Sequence, residues 1–587
     1  MRVFLYIAQM PKRTGAAYVV TTTRHHKGRV YHSHLLRRSY REGGRVRNET
    51  LGNLSHLPDA VIDLIRASLK GETFVPVGEA FEIAASRAHG HVQAVTQAMK
   101  QLGLASLLAS KSCRERDLVL AMVAARILAP HTKLATTRWW HTTTLAETFG
   151  VADANEDDLY EAMDWLLERQ DKIQKKLAAR HLKEGCLALY DLSSSYFEGT
   201  SCPLAKRGYN RDKKKGLLQV NYGLLADHRG CPVAMSVYEG NTSDPQTLMP
   251  EIDRLKNDFG IETFVIVGDR GMISQKAIDE IKTQDGIDWI TALKSGAIRA
   301  LIEDKTLQPQ LFDERNLFEL SHPDYPNERL VACRNPELAK LRAHKRASLL
   351  AATEKDLAEV QDMVEAGRLS GQDKIGIRVG RVINRYKVAK HFALDVQERS
   401  FSYQRKQDSI ALEAALDGIY VVRTSVAAPR MDSADCVRNY KRLADVERAF
   451  RSLKTIDLKI RPIHHRLADR VRAHIFLCML AYYVEWHMRE AWRELMFADE
   501  DQAAKKSRDP VAPAIRSDAA LHKINHRRLE DGSPVHSFAT LLTELATVVR
   551  NTCRTPNAEK DQPAFQVTTI PTSNQKFALE LIDKISM

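Results

Sequence analysis

Two apolar runs that each end on a carboxylate constrain this chain more than any other feature. Leu187-Ala188-Leu189-Tyr190 leads into Asp191, and the run from Thr263 to Val267 leads through Gly268 into Asp269. Short runs of this kind suit strands buried on both faces, as inside an α/β sheet. Further β-prone stretches stand at Leu218 to Leu225, Pro232 to Tyr238 and Trp289 to Leu293. Hairpin-joined strands followed by an α-crossover strand predict a mixed sheet. Each Asp is expected at the carboxyl edge of its strand, where ligands gather in open α/β sheets. Two carboxylates on neighbouring strands repel unless a cation neutralises them, and hard divalent ions suit sparse carboxylates and water. A strand-end Asp also commonly caps a turn, so neither residue decides the matter alone.

The remaining chain divides by pattern. Residues 1–57 form an expected basic β-rich unit, with Tyr18 to Thr22 and Val30 to Leu36 as strands around a turn at His26-Lys27-Gly28. Arg24, Lys27, Arg29, Arg37, Arg38, Arg41, Arg45 and Arg47 face only Glu42 and Glu49 there. Residues 58–182 show helical spacing, as in Val92 to Leu102, Leu118 to Ile127 and Leu159 to Leu167. That region is a candidate DNA reader or a packing bundle. The α/β core runs over 183–294 and resumes over 418–495. Between them lies an insertion module, 295–417, with a charged helix from Pro336 to Ala366 and β-prone pieces at Ile375 to Val382 and Phe392 to Val396. Residues 496–587 are expected to be a linker and C-terminal tail.

A long helix is expected from Ser433 to Thr455, and it carries the third carboxylate. Helical spacing stacks Tyr440, Leu443, Glu447, Phe450 and Lys454 in one stripe. With Leu and Phe in it, the stripe is expected to face the protein body, which makes an unpaired Glu447 costly. A metal ion or a paired base would relieve that cost, although Arg448 and Arg451, on neighbouring faces, are less well aimed.

The segments YDLSSSYFEG (Tyr190 to Gly199), VGDRG (Val267 to Gly271) and YKRLADVERAFRSLK (Tyr440 to Lys454) resemble the three catalytic blocks of insertion-sequence DDE transposases. The branch it resembles carries the signature Tyr-x2-Arg-x3-Glu-x6-Lys. Tyr440, Glu447 and Lys454 match at that spacing, and Leu443 stands in the place of the Arg, which Arg442 or Arg448 would have to replace. Glu239 to Asp244, Arg461 to Arg466 and His474 are similar to further segments of that branch. The resemblance implies an RNase H-like core with Asp191, Asp269 and Glu447 as catalytic metal ligands, and a β-rich insertion before the Glu. It also implies two Mg2+ or Mn2+ ions that cut the element's ends and join them to target DNA. The double-stranded DNA partners would be the terminal inverted repeats and the target, bound by a homodimer. A nuclease of the same fold without joining, and an inactive DNA-binding relative, are the alternatives.

Charge and composition agree with that implication. The chain has 87 basic and 74 acidic residues, a formal charge of +13, which suits a polyanionic partner. The expected DNA contacts are Tyr440, Arg442, Arg448, Arg451 and Lys454 around the Glu, with Arg211, Lys213 and Lys214 in the loop after the first Asp. The eight cysteines form no Cys-x-x-Cys pair, so neither a zinc module nor a disulfide framework is expected. No run is long enough for a membrane span, and a cytoplasmic, nucleoid-associated protein is expected. Ser193 to Ser195 lacks a Gly-x-Ser-x-Gly elbow, which rules out a serine nucleophile. Trp289, inside an expected strand, reads as a core residue rather than a trap for a flipped base.

Overall fold

The computed structural model describes residues 15–72, 74, 81–212, 214, 216–499, 501, 509–512, 515–555 and 564–586. It separates into two compact units, one of residues 1–86 with 551–567, the other of 87–550 with 568–587.

The first unit holds an antiparallel meander of β1 (Ala17–His26), β2 (Arg29–Glu42) and β3 (Arg45–Asn53), followed by α1 (Asp59–Leu69). The β1–β2 turn places Lys27 and Gly28 at φ 49° and 75°, a left-handed pair matched to strand twist. Most of the basic side chains of the meander lie exposed, with Arg47 paired to Glu42 at 3.2 Å. A second sheet joins β4 (Glu82–Ala88) to two C-terminal strands, Val549–Arg554 and Phe565–Thr568. That pairing spans most of the chain, which explains why neither end signals it locally.

The second unit opens with a helical layer: α2 (Gly90–Gln101), α3 (Leu104–Leu108), α4 (Arg114–Leu128), α5 (Lys133–Trp139), α6 (Leu145–Phe149), α7 (Glu156–Leu167) and α8 (Gln170–His181). Its α4 is buried almost all round, as a helix enclosed by others must be. The core sheet follows, with β5 (Cys186–Tyr196), β6 (Gln219–Ala226), β7 (Pro232–Glu239), β8 (Phe264–Val267) and β9 (Ile287–Ala292). The order β7-β6-β5-β8-β9 pairs β5 with β6 and β6 with β7 antiparallel, and β5 with β8 and β8 with β9 parallel. This is the RNase H-like arrangement. All eight residues of β6 and all four of β8 are buried, and helices α9 (Asp244–Asp253) and α10 (Gln275–Ile281) connect the strands.

Three more strands extend the sheet past β9. After α11 (Ser295–Glu303) come β10 (Leu317–Leu320) and β11 (Arg329–Arg334), which reach β9 through the later β14 (Ile419–Thr424). Residues within 317–334 are thus part of the core sheet, and a boundary at 294/295 cuts through it. Between β11 and β14 stand α12 (Pro336–Glu365), α13 (Gln372–Tyr386), the hairpin β12 (Phe392–Val396) and β13 (Phe401–Arg405), and α14 (Gln407–Ala415). They close over a core of their own that includes Leu357, Val360, Ile375, Val379, Phe392 and Phe401.

Here one expectation fails. Ile375 to Val382 was expected to be β-prone and is helical. Its Ile375-x-Ile377-x-Val379 alternation mimics a strand, but Ile375 and Val379 are buried at a spacing of four while Ile377 is 59% exposed. Helical period wins because α12 offers a long apolar stripe to pack against. The insertion is therefore mainly helical, with a single hairpin.

The chain then forms α15 (Ser433–Lys441), α16 (Leu443–Arg451) and α17 (Ala468–Ala491). Among the described residues no single helix is long and apolar enough to cross a membrane.

Candidate metal centre and its basic surround

Strand register brings the two aspartates together. On the parallel pair β5–β8, Leu189 stands opposite Val267. Asp191 and Asp269 each follow two residues on, Asp191 within β5 and Asp269 just past the end of β8, on neighbouring strands about 4.8 Å apart. Asp191 does not end its strand, contrary to expectation. Leu192 to Tyr196 continue to pair with β6, down to Tyr196 opposite Gln219. The polar Ser193-Ser194-Ser195 run stays in the sheet because Ser195 Oγ bonds the Tyr222 hydroxyl at 2.7 Å and Ser194 Oγ accepts the Arg211 N–H at 3.3 Å.

Asp269 does cap the turn beyond β8. Its Oδ1 accepts the N–H groups of Gly271 and Met272 at 2.9 and 2.7 Å, which fixes the carboxylate. Among the described residues, Asp191 Oδ1 accepts its neighbour's amide, Leu192 N–H, at 2.8 Å. Burial, then the charge of Asp269, push the Asp191 carboxyl up to about 7, with Glu447 adding to the push and Arg211 opposing it.

Glu447 reaches this place from α16, which packs against β5. The expected single helix is broken at Arg442 into α15 and α16; of the expected inward stripe Leu443, Phe450 and Lys454 are buried and Tyr440 is half-buried, and Glu447 alone departs from it. Leu443, Val446, Ala449 and Phe450 are buried, whereas Glu447 is exposed, with Arg448 and Arg451 beside it. Its position is therefore not explained by the cost of a buried charge. The half-buried Tyr440 stands at the same centre: burial, then Asp269, push its hydroxyl up to about 12, with Arg270 opposing and Glu447 and Asp191 adding.

The basic residues sort differently from expectation. Lys454 follows α16 in a π-helical turn, Ser452–Ile456, a rare geometry that re-aims side chains. It is buried and bonds Asp212 at 3.1 Å, and Arg461 pairs with the same carboxylate. With Lys214, Lys459, Tyr196 and Thr455 these residues line a cavity of about 300 Å3. Four cationic side chains thus surround one carboxylate, an arrangement that attracts anions. Arg211 is paired with Asp244, Arg448 with Asp445 at 2.9 Å, and the Arg442 guanidinium donates to the His228 carbonyl at 2.6 Å. Lys213 lies outside the described residues. Leu443 is packed in the main core, so the Arg of the signature has no counterpart there. Trp289 is a buried strand residue.

Sequence reasoning did not single out Asp212, the counter-charge of that pocket. It also missed a cluster of His181, Cys231 and His487. No local signal marks either, because their partners lie far along the chain.

Residues 185–484 match the family model of the transposase DDE domain, and residues 19–75 match that of the N-terminal domain of IS1634 family transposases. A solved piggyBac transposase, in a synaptic complex with hairpin DNA, is similar over 77% of both chains at 9% identity, with a TM-score of 0.35. No curated protein matches the chain.

Proposed function

This chain belongs to the DDE transposase family, a metal-dependent, DNA-cutting class, and we propose that Asp191, Asp269 and Glu447 are its metal-holding catalytic residues. The observation that carries the reading is the pairing of β5 with β8, which sets Asp191 and Asp269 each two residues past the paired Leu189 and Val267, with Glu447 close enough to act on the Asp191 charge. The donor set is all oxygen, and the Asp191 carboxyl, raised first by burial and then by the Asp269 charge, is a group that a cation would help to ionise. These residues fit Mg2+ or Mn2+. When bound, two such ions would activate water or a DNA 3′-hydroxyl and stabilise the leaving oxygen.

The chain's own residues prepare that step. Asp269 is held by two backbone amides, so its carboxylate is oriented before any ligand arrives. Tyr440 borders the carboxylates and would position the DNA strand. Arg448 and Arg451, on the exposed face of α16, would meet phosphates beside Glu447. Lys214, Lys454, Lys459 and Arg461 would hold a neighbouring phosphate, and Arg442 and Arg211 would steady the walls. The DNA would be the inverted repeats of an insertion sequence and then the target, with two copies of the chain bridging two ends. Cleavage of the repeats flanking its reading frame in Mg2+, abolished by EDTA, tests the reading. Cleavage that survives EDTA contradicts it.

Acid should oppose metal binding. Below about pH 7 the ion-free Asp191 carboxyl keeps its proton, which a divalent ion must displace. Affinity for Mn2+ is expected to fall about tenfold per unit below pH 7 and to level off above it. The raised carboxyl also contributes stability to the ion-free fold that is full below the unfolded value near pH 4 and lost as pH rises through 7. Calorimetric Mn2+ titrations across pH check this, and a flat affinity would contradict it.

For Lys454→Ala, the slope of log affinity for a repeat end against log salt is expected to shrink by about one phosphate contact. An unchanged slope together with a lower melting temperature would leave Lys454 only its structural pairing with Asp212.

A further inference from the structure

Away from the carboxylates, three ligand-type side chains from distant parts of the chain meet. Cys231 Sγ and one ring nitrogen each of His181 and His487 lie within 4.8 Å of one another. Cys231 Sγ is 3.8 Å from His487 Nε2. Tetrahedral zinc, at about 2.3 Å from sulfur and about 2.0 Å from nitrogen, places such donors about 3.6 Å apart. The Cys231–His487 spacing is close to that of a bound ion, and the His181 donor lies within 4.8 Å of both. His181 ends α8, Cys231 closes the turn from β6 to β7, and His487 lies on α17. Cys231 is fully buried and His487 nearly so.

The surroundings are polar and largely paired among themselves. The buried Asp227 carboxylate lies 4.0 Å from His181 Nδ1 and is itself paired with the Arg229 guanidinium at 2.8 Å. Its own position is set by the N–H groups of Arg229 and Cys231, at 2.7 and 3.0 Å. Both His181 ring nitrogens are engaged, Nε2 by the Tyr483 hydroxyl at 3.0 Å and Nδ1 by Arg229 Nη2 at 3.2 Å, so an ion would displace one of these partners.

We propose that His181, Cys231 and His487 bind a Zn2+ ion, which staples the β6–β7 turn to α8 and α17. One thiolate and two imidazoles favour zinc over Mg2+ or Mn2+, so this site is chemically separate from the carboxylate centre. Binding breaks the Cys231 S–H bond, forms a sulfur–zinc bond and releases the proton to solvent, with no change of oxidation state. The staple also bears on the Glu helix. The same turn supplies the His228 carbonyl that accepts the Arg442 guanidinium at the start of α16, so an immobilised turn keeps α16 in place.

Cobalt loading of the full-length chain tests the proposal. After removal of metal with a chelator, Co2+ is expected to produce thiolate-to-metal charge-transfer absorption. The band should persist in Asp191→Ala and vanish in Cys231→Ser. Zn2+ should raise the melting temperature of the unsubstituted protein and leave that of Cys231→Ser unchanged. A protein that shows neither the band nor the zinc-dependent shift overturns the proposal, as does a band that survives Cys231→Ser. Should Cys231→Ser not fold, weakened Co2+ binding in His487→Gln supports the site and unchanged binding overturns it. None of these readouts depends on transposition, so this proposal and the catalytic reading fail separately.

Discussion

Asp191→Ala, Asp269→Ala and Glu447→Gln are each expected to abolish DNA cleavage while leaving binding of the repeat ends largely intact. Metal ligands act on the chemical step, where an ion supplies several kcal/mol of charge stabilisation, equivalent to losses on the order of a thousandfold. Affinity instead rests on phosphate contacts, which these substitutions leave in place. The three variants should differ in stability. Asp191→Ala removes a carboxyl that burial and two neighbouring carboxylates disfavour as an ion, so the ion-free protein should hold or gain stability. Asp269→Ala removes the acceptor of two turn amides and should cost about 1–2 kcal/mol. Glu447→Gln, on an exposed face, should be nearly neutral. A nicking assay beside an electrophoretic shift and a thermal melt separates these effects. Near-wild-type nicking by any variant would remove that residue from the metal site.

The second large effect concerns packing. Leu443→Arg is expected to destabilise the fold by a few kcal/mol, as a charge forced into a core without a partner. Leu443 is 9% exposed and belongs to the main hydrophobic core. Restoring the family's Arg at this position should therefore not restore a DNA contact. Leu443→Met, of similar volume and apolar, should cost less than about 1.5 kcal/mol. Thermal melts of both decide it, and a fully stable Leu443→Arg with tighter end binding would reverse the assignment.

How much of this was legible before the structure depends on how local each cause is. The strands β5, β6, β7, β8 and β9 were readable because double-sided burial demands unbroken apolar runs. The long helix α12 was readable from its charge pattern. Where a partner element chose between two periods, as at Ile375 to Val379, pattern alone chose wrongly. At the third carboxylate, spacing located Glu447 on a helix and its stripe does put Leu443, Phe450 and Lys454 inward, but Val446 and Ala449 complete the buried face of α16 and Glu447 is left exposed at its edge. Asp191 was expected at a strand end, yet the hydroxyl pairings of Ser194 and Ser195 let the strand continue. Contacts made only by the fold, such as Cys231 with His181 and His487, left no trace in spacing.

In the proposed function one carboxylate centre both cuts DNA and joins it. The most direct measurement gives the protein a repeat end that has already been cut, with target DNA and Mg2+, and scores joined product. The account predicts joining by the unsubstituted chain and none by Asp191→Ala, Asp269→Ala or Glu447→Gln at equal end binding. Hydrolysis of uncut ends without any joining of pre-cut ones would contradict it, as would joining by any of the three variants at the unsubstituted rate.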